Sequence, residues 1–246
     1  MSRILLLIAA LVTLGSLAAC GGDDDDGGGD GGGGTIEETS TPEETPQEFL
    51  QSSADALEEV DSFHFVLEHE NGGTEIVLDL EMTRAEGDVI TPDRLKADVE
   101  ADGPAGLDVN VQVIAIGEDF FFENPFGGGF VDADFSIQDI LDPTRGAVAL
   151  LRSAPADSEH DGSEEIDGVQ TRKVRATIDS GEFETLIPSA DAGLPVEVIV
   201  WIGVDDKLPY RIQIVGPLND SEPDDIERTI EISDYNNPDV VIEPPE

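Results

Sequence analysis

Apolar side chains run almost without a break from Ile4 to Leu14 as Ile, Leu, Val and Ala. From Thr45 their spacing becomes helical. Thr45-Pro46-Gln47-Glu48 sets out a capping residue, a proline at the first helical position and a glutamate at the third, and Phe49, Leu50, Ala54, Leu57 and Val60 follow on one face. After Asp61 the period drops to two. Phe63, Phe65 and Leu67 alternate with polar or mixed positions, and Ile76, Leu78, Leu80 and Met82 alternate with Glu75, Asp79 and Glu81. Leu95, Ala97, Val99 and Ala101 alternate with Lys96, Asp98 and Glu100, and Leu107, Val109, Val111 and Val113 with Asp108, Asn110 and Gln112. Turn signals at Asn71-Gly72-Gly73 and Asp102-Gly103-Pro104 separate these runs. The pattern predicts an antiparallel meander with one wet and one buried face, whose long twisted strands curl the sheet.

A middle section interrupts the alternation. Phe120-Phe121-Phe122 closes one strand and Gly127-Gly128-Gly129 marks a loop. Ile137, Ile140 and Leu141 predict a short helix, Pro143 a kink, and Ala147, Val148, Leu150 and Leu151 a second helix. Strands resume in a hairpin turning at Asp167-Gly168, a dipeptide suited to tight hairpins. Residues 180–195 read as a short helix and a loop. Val196–Val204, Tyr210–Val215 and Ile226–Ser233 read as three more strands, and Asn236-Asn237-Pro238 ends the fold.

The first apolar run is far shorter than the roughly 20 residues a membrane-spanning helix needs, and it follows a short basic start at Ser2-Arg3. Residues 1–19 therefore read as a signal peptide. Leu17-Ala18-Ala19-Cys20 has the small residues and the thiol of a lipobox, so Cys20 is the expected lipidation site and the expected new N-terminus. Cys20 is the chain's one cysteine and forms no disulfide within it. Two or three acyl chains hold a protein stably where one does not, so the chain is expected at the cell membrane, on its extracytoplasmic face.

Residues 21–44 are Gly, Pro and polar residues, with Ile36 the one aliphatic side chain, too little to offset the entropy of ordering. With Cys20 they read as an acidic tether with a reach on the order of 25–30 Å. One domain over 45–242 and a tail over 243–246 complete the organisation.

Charge narrows the function. The chain has 56 acidic and 12 basic residues, a formal net charge of −44, and removing residues 1–19 takes Arg3 as well. Such a surface repels phosphate backbones and anionic headgroups, which excludes nucleic acid as a partner and keeps the body of the domain off the membrane. Catalytic and metal motifs are not found. His64 falls in a strand, His69 at a strand end and His160 in an acidic loop, none with ligand spacing to a partner. Asp157, Glu159, Asp161 and Gly162 start like a calcium loop, but Gly168 stands where a bidentate glutamate is needed. No Gly-x-Ser-x-Gly, His-Glu-x-x-His or phosphate-binding glycine loop occurs. The expectation is a non-enzyme with no cofactor and no metal.

Several segments in order resemble the actinobacterial LppX–LprG (LppX_LprAFG) lipoprotein family. They are Ile140-Leu141-Asp142-Pro143 through Gly146, Ala149 and Leu150; Glu165-Ile166-Asp167-Gly168-Val169 with Lys173-Val174; Val200-Trp201-Ile202 with the turn at Asp205-Asp206; and Ile232-Ser233-Asp234-Tyr235 before Pro238. The resemblance spans residues 45–242. It implies an α+β fold like that of the LolA and LolB carriers, a curved antiparallel β half-barrel with helices covering its concave apolar face. It also implies a membrane-anchored protein that binds acylated lipid or glycolipid in a cavity there, carries it through the envelope and acts beside a major-facilitator exporter. The chain departs from the family in its acidity and in residues 83–94, which hold little of an apolar entrance. The expected cavity residues are Phe65, Leu67, Leu78, Leu80, Val99, Val109, Val111, Val200 and Ile202. The alternative is a LolA- or RseB-like domain that binds lipoproteins or acts as a sensor.

Overall fold

The computed structural model describes residues 44–76, 80–103, 106–125, 127–132, 146–187 and 189–245. The signal peptide, Cys20, all of the tether but Glu44, Leu78, and the helix and kink expected at residues 137–143 lie outside them.

Helix α1 (Pro46–Glu58) begins as its sequence dictates. The Thr45 hydroxyl accepts a bond from the Glu48 amide at 3.2 Å, and the Glu48 carboxylate accepts one from the Thr45 amide at 2.9 Å. Its buried side carries Phe49, Leu50 and Ala54. Burying Phe49 or Leu50 contributes roughly 1.5–3 kcal/mol each.

Twelve strands follow among the described residues: β1 (Ser62–Glu70), β2 (Thr74–Glu75), β3 (Glu81–Ile90), β4 (Arg94–Gly103), β5 (Leu107–Ile116), β6 (Asp119–Glu123), β7 (Phe130–Asp132), β8 (Glu159–Ile166), β9 (Val169–Asp179), β10 (Pro195–Gly203), β11 (Pro209–Val215) and β12 (Glu227–Ser233). Helix α2 (Ala147–Arg152) lies between β7 and β8, and a 3-10 turn (Ser180–Phe183) between β9 and β10. All pair antiparallel in one sheet of order β7-β6-β5-β4-β3-β1-β12-β11-β10-β9-β8, with β2 added beside β3. The sheet is an open half-barrel. β7 and β8 end the path and do not pair with each other among the described residues.

Two expectations change around β2 and β3. The run Ile76–Met82 is not one strand. Thr74–Glu75 pairs with Glu81–Met82, and the Ile76 amide bonds the Leu80 carbonyl at 2.8 Å. Residues 83–90, which lack an apolar rhythm, form the body of β3. Their inward positions are Ala85, Gly87 and Val89, and small side chains leave no hydrophobic signal. At Gly87 the reason is contact: a Cβ there would stand 2.2 Å from the Lys96 carbonyl and 2.6 Å from the Ala97 Cα.

The Asp167-Gly168 turn forms as expected, with φ of 49° and 85° joining β8 to β9. The edge strand β8 shifts register between His160 and Ser163, and most of its residues are exposed. His160 lies in this strand and not in a loop; its Nε2 bonds the Glu44 carbonyl at 3.1 Å. On the outer face Trp201 is covered by Lys173 and Arg211, and its indole N–H donates to Glu164 at 2.8 Å. The C-terminal segment closes the sheet end where β1 starts. The Asn236 amide bonds the Ser62 carbonyl at 2.8 Å, and the Tyr235 hydroxyl donates to the Pro209 carbonyl.

Candidate functional site

The register assigns every inward side chain. Phe65 lies opposite Gly87 on β3 and Ile232 on β12, and Leu67 opposite Ala85 and Ile230. Ile230 in turn lies opposite Ile212 on β11, which pairs with Val200 on β10. The inner face is thus apolar from β6 to β9, but it is not uniformly covered.

Two packed clusters flank its middle. On β9 and β10, Val174, Val200 and Ile202 pack beneath Phe49, Leu50 and Ala54 of α1 and Val148 and Leu151 of α2. Arg152 ties the two helices together through Asp55 at 2.7 Å and Glu58 at 2.6 Å. On the other half, Leu80, Ala85, Ala97, Val99, Ala101, Val109, Val111, Val113 and Phe122 form a second cluster. Between them Phe65, Leu67, Ile212 and Ile230 are only half-buried. These four make a seam along β1, β12 and β11: Phe65 and Leu67 pack against the second cluster, and Ile212 against the first and against a third cluster of Phe183, Val196, Ile214 and Leu218.

The expected site residues divide accordingly. Phe65 and Leu67 lie in the seam. Leu80, Val99, Val109 and Val111 are buried in the second cluster, and Val200 and Ile202 in the first. Leu78 lies outside the described residues. Ile212 and Ile230 are not among the expected residues, although both sit in expected strands with the same alternation.

At one end of the seam the inner face turns polar. The next inward pair after Leu67 and Ile230 is His69 and Arg228. Arg228 is 2% exposed and meets Glu222 at 2.6 Å. His69 contacts the Thr74 hydroxyl at 2.9 Å and the Thr83 carbonyl at 3.2 Å. Burial, reinforced by the Arg228 guanidinium, pushes the His69 pKa down to about 4, so the ring is neutral near pH 7.

The outer face of β3–β6 holds a trough of about 720 Å3, lined by His64, Arg84, Glu86, Asp88, Lys96, Asp98 and Glu100 among others. Arg84 is held by Glu86 and by Glu68 at 3.3 Å, and His64 by Asp88 at 2.9 Å. This lining is wrong for an acyl chain. Among the described residues no group of three or more His, Cys, Asp or Glu is placed to hold a metal ion, and no helix is long and apolar enough to cross a membrane.

The model of the LppX_LprAFG lipoprotein family matches residues 45–241. The chain belongs to this family. The crystal structure of LprF from Mycobacterium bovis is similar at a TM-score of 0.63 and 22% identity, covering 81% of this chain and 96% of that one. LppX from Mycobacterium tuberculosis is similar at 0.59 and 22%, covering 80% and 98%. A search of curated proteins by sequence returns no match. As a family member the chain carries the LprF- and LppX-like half-barrel, and in it the seam runs between the helix-covered half of the sheet and the half built from β3–β6.

Proposed function

We propose that this LppX_LprAFG family member is a non-catalytic carrier, anchored by lipid on Cys20, that binds the acyl chains of a lipid or glycolipid along the seam and moves it through the envelope. One observation carries the reading: Phe65, Leu67, Ile212 and Ile230 keep part of their surface uncovered in the middle of the sheet face, although the flanking clusters pack against the first three. A continuous core would cover the middle best. An apolar strip left half-covered between two cores is a surface that gains by burial against hydrocarbon, at about 25 cal/mol per Å2. The small inward residues Ala85, Gly87 and Ala97 beside it keep the face low. Leu80, Val99, Val109 and Val111 form one wall, and Val200 and Ile202 the base of the other.

The tether holds the domain within reach of the lipid surface, and the acidity keeps its body from adhering there. An exporter of the major-facilitator class fits as the supplier of lipid. The test is mass spectrometry of organic extracts from the Cys20→Ser chain, whose own anchor is absent. A co-purifying di- or triacyl lipid is expected. A protein partner with no acyl lipid refutes the carrier and supports the LolA- or RseB-like sensor.

A further inference from the structure

The seam does not run the length of the sheet. Along β1 and β12 the inward pairs are Phe65 with Ile232, Leu67 with Ile230, then His69 with Arg228. A strand advances about 7 Å in two residues, so within that distance the face changes from aliphatic to a cation and an imidazole.

The hydrogen bonds fix how this cluster behaves. His69 Nδ1 faces the Thr83 carbonyl, so it carries the proton and donates; the neutral ring then accepts at Nε2 from the Thr74 hydroxyl. Thr74 Oγ1 in turn accepts from Arg228 Nε at 3.2 Å. Arg228 Nη1 reaches the Gly216 carbonyl at 3.4 Å and Nη2 pairs with Glu222 at 2.6 Å. The second Glu222 oxygen accepts from the Leu218 amide at 2.8 Å. The cluster is polar and buried but not fully satisfied: Arg228 Nη2 meets Glu222 as an ion pair and makes no hydrogen bond. A hydrocarbon chain advancing into it would strand buried polar groups, which costs far more than the added contact returns. The loops behind it are close-packed: a Cβ on Gly72 would stand 3.1 Å from Ile226 Cδ1.

We infer that the Arg228–Glu222–Thr74–His69 cluster is a polar stop that ends the acyl site and sets the length of chain it accepts. This rests on the carrier reading above. His69 is the specificity-determining residue, because it stands in line with Leu67.

The test uses the full chain with Cys20→Ser, and a graded series of saturated fatty acids competing with a fluorescent acyl probe. Below the stop each added methylene tightens binding by ~4-fold, and past it the gain ends. His69→Leu extends the apolar strip and is expected to move that break to chains about 7 Å longer. If His69→Leu does not fold, Arg228→Met with Glu222→Leu replaces the ion pair by apolar groups and is expected to move the break in the same direction. Binding by both proteins with the break unmoved overturns the stop and leaves the carrier reading intact. No binding of any fatty acid or probe by the unmodified site overturns the carrier reading, and the stop with it.

Discussion

Whether the middle of the sheet is a binding surface or a core can be decided by adding volume at two places. Val111 is 2% exposed and packed among Val99, Val113 and Ala97 of the second cluster. Val111→Trp must therefore displace its neighbours. Overpacking of this kind costs about 1–3 kcal/mol, which at ~2–4 °C per kcal/mol lowers Tm by about 2–12 °C. Val200→Trp, beneath α1, is expected to behave alike. Ile230 lies one strand from either cluster and is half-buried, so the indole in Ile230→Trp can lie along the seam, on a strand that favours aromatics. Its stability is expected within about 0.5 kcal/mol of the unmodified protein. Its uptake of a fluorescent acyl probe is expected to be lost, because the added ring fills the strip. Thermal melts alongside probe titration check both. A melting temperature for Ile230→Trp as low as that of Val111→Trp, with probe uptake unchanged, would show that the strip is core and refute the reasoning.

Cys20→Ser is expected to release the protein from membranes; fractionation that leaves it there in a detergent-sensitive way speaks against the lipid anchor. Gly87→Ala drives a Cβ against the backbone of β4, so a loss of about 1–3 kcal/mol is expected in denaturant melts, and a neutral effect would contradict so close an approach of the two strands. Glu222→Ala leaves Arg228 buried without its partner and is expected to cost about 3–5 kcal/mol, while Arg228→Met with Glu222→Leu recovers most of it; equal losses in the two would contradict a buried pair. His69 has a folded pKa of about 4 against an ordinary 6.5, so the unfolded chain binds the extra proton between those values. Its contribution is present above pH 6.5 and falls away as pH drops toward 4. His69→Gln should flatten that part of the stability profile relative to the unmodified protein, and superimposable profiles would count against a buried neutral ring.

Local chemistry was legible wherever it was self-contained. The capping box at Thr45 and Glu48 fixed the start of α1, and Asp167-Gly168 fixed the hairpin, because both signals act over a few residues. The strand β3 was hidden because Ala85 and Gly87 face inward, and the same smallness that lets β4 approach leaves no hydrophobic rhythm. Alternation told which side of β1, β11 and β12 is apolar, but not that β12 returns from the far end of the chain to lie beside β1. Nor could it tell what covers each side chain. Val200 and Ile230 read alike in sequence, and only the helices over β10 make one core and leave the other half-exposed. His69 and Arg228 carried no motif at all; their meaning comes from facing each other across two strands.

An open half-barrel has a consequence at its margin. Among the described residues β8 ends the sheet path with one edge that no strand pairs, a template on which another extended chain could aggregate. Glu159, Asp161, Glu164 and Glu165 stand along it, and the register shift at Gly162, with φ of 92°, breaks its straight run of hydrogen-bonding groups. Charge and kink together act as gatekeepers, so that the sheet can stay unclosed without recruiting strangers at its edge. Part of the chain's acidity thereby has a defensive use that no count of carboxylates would suggest.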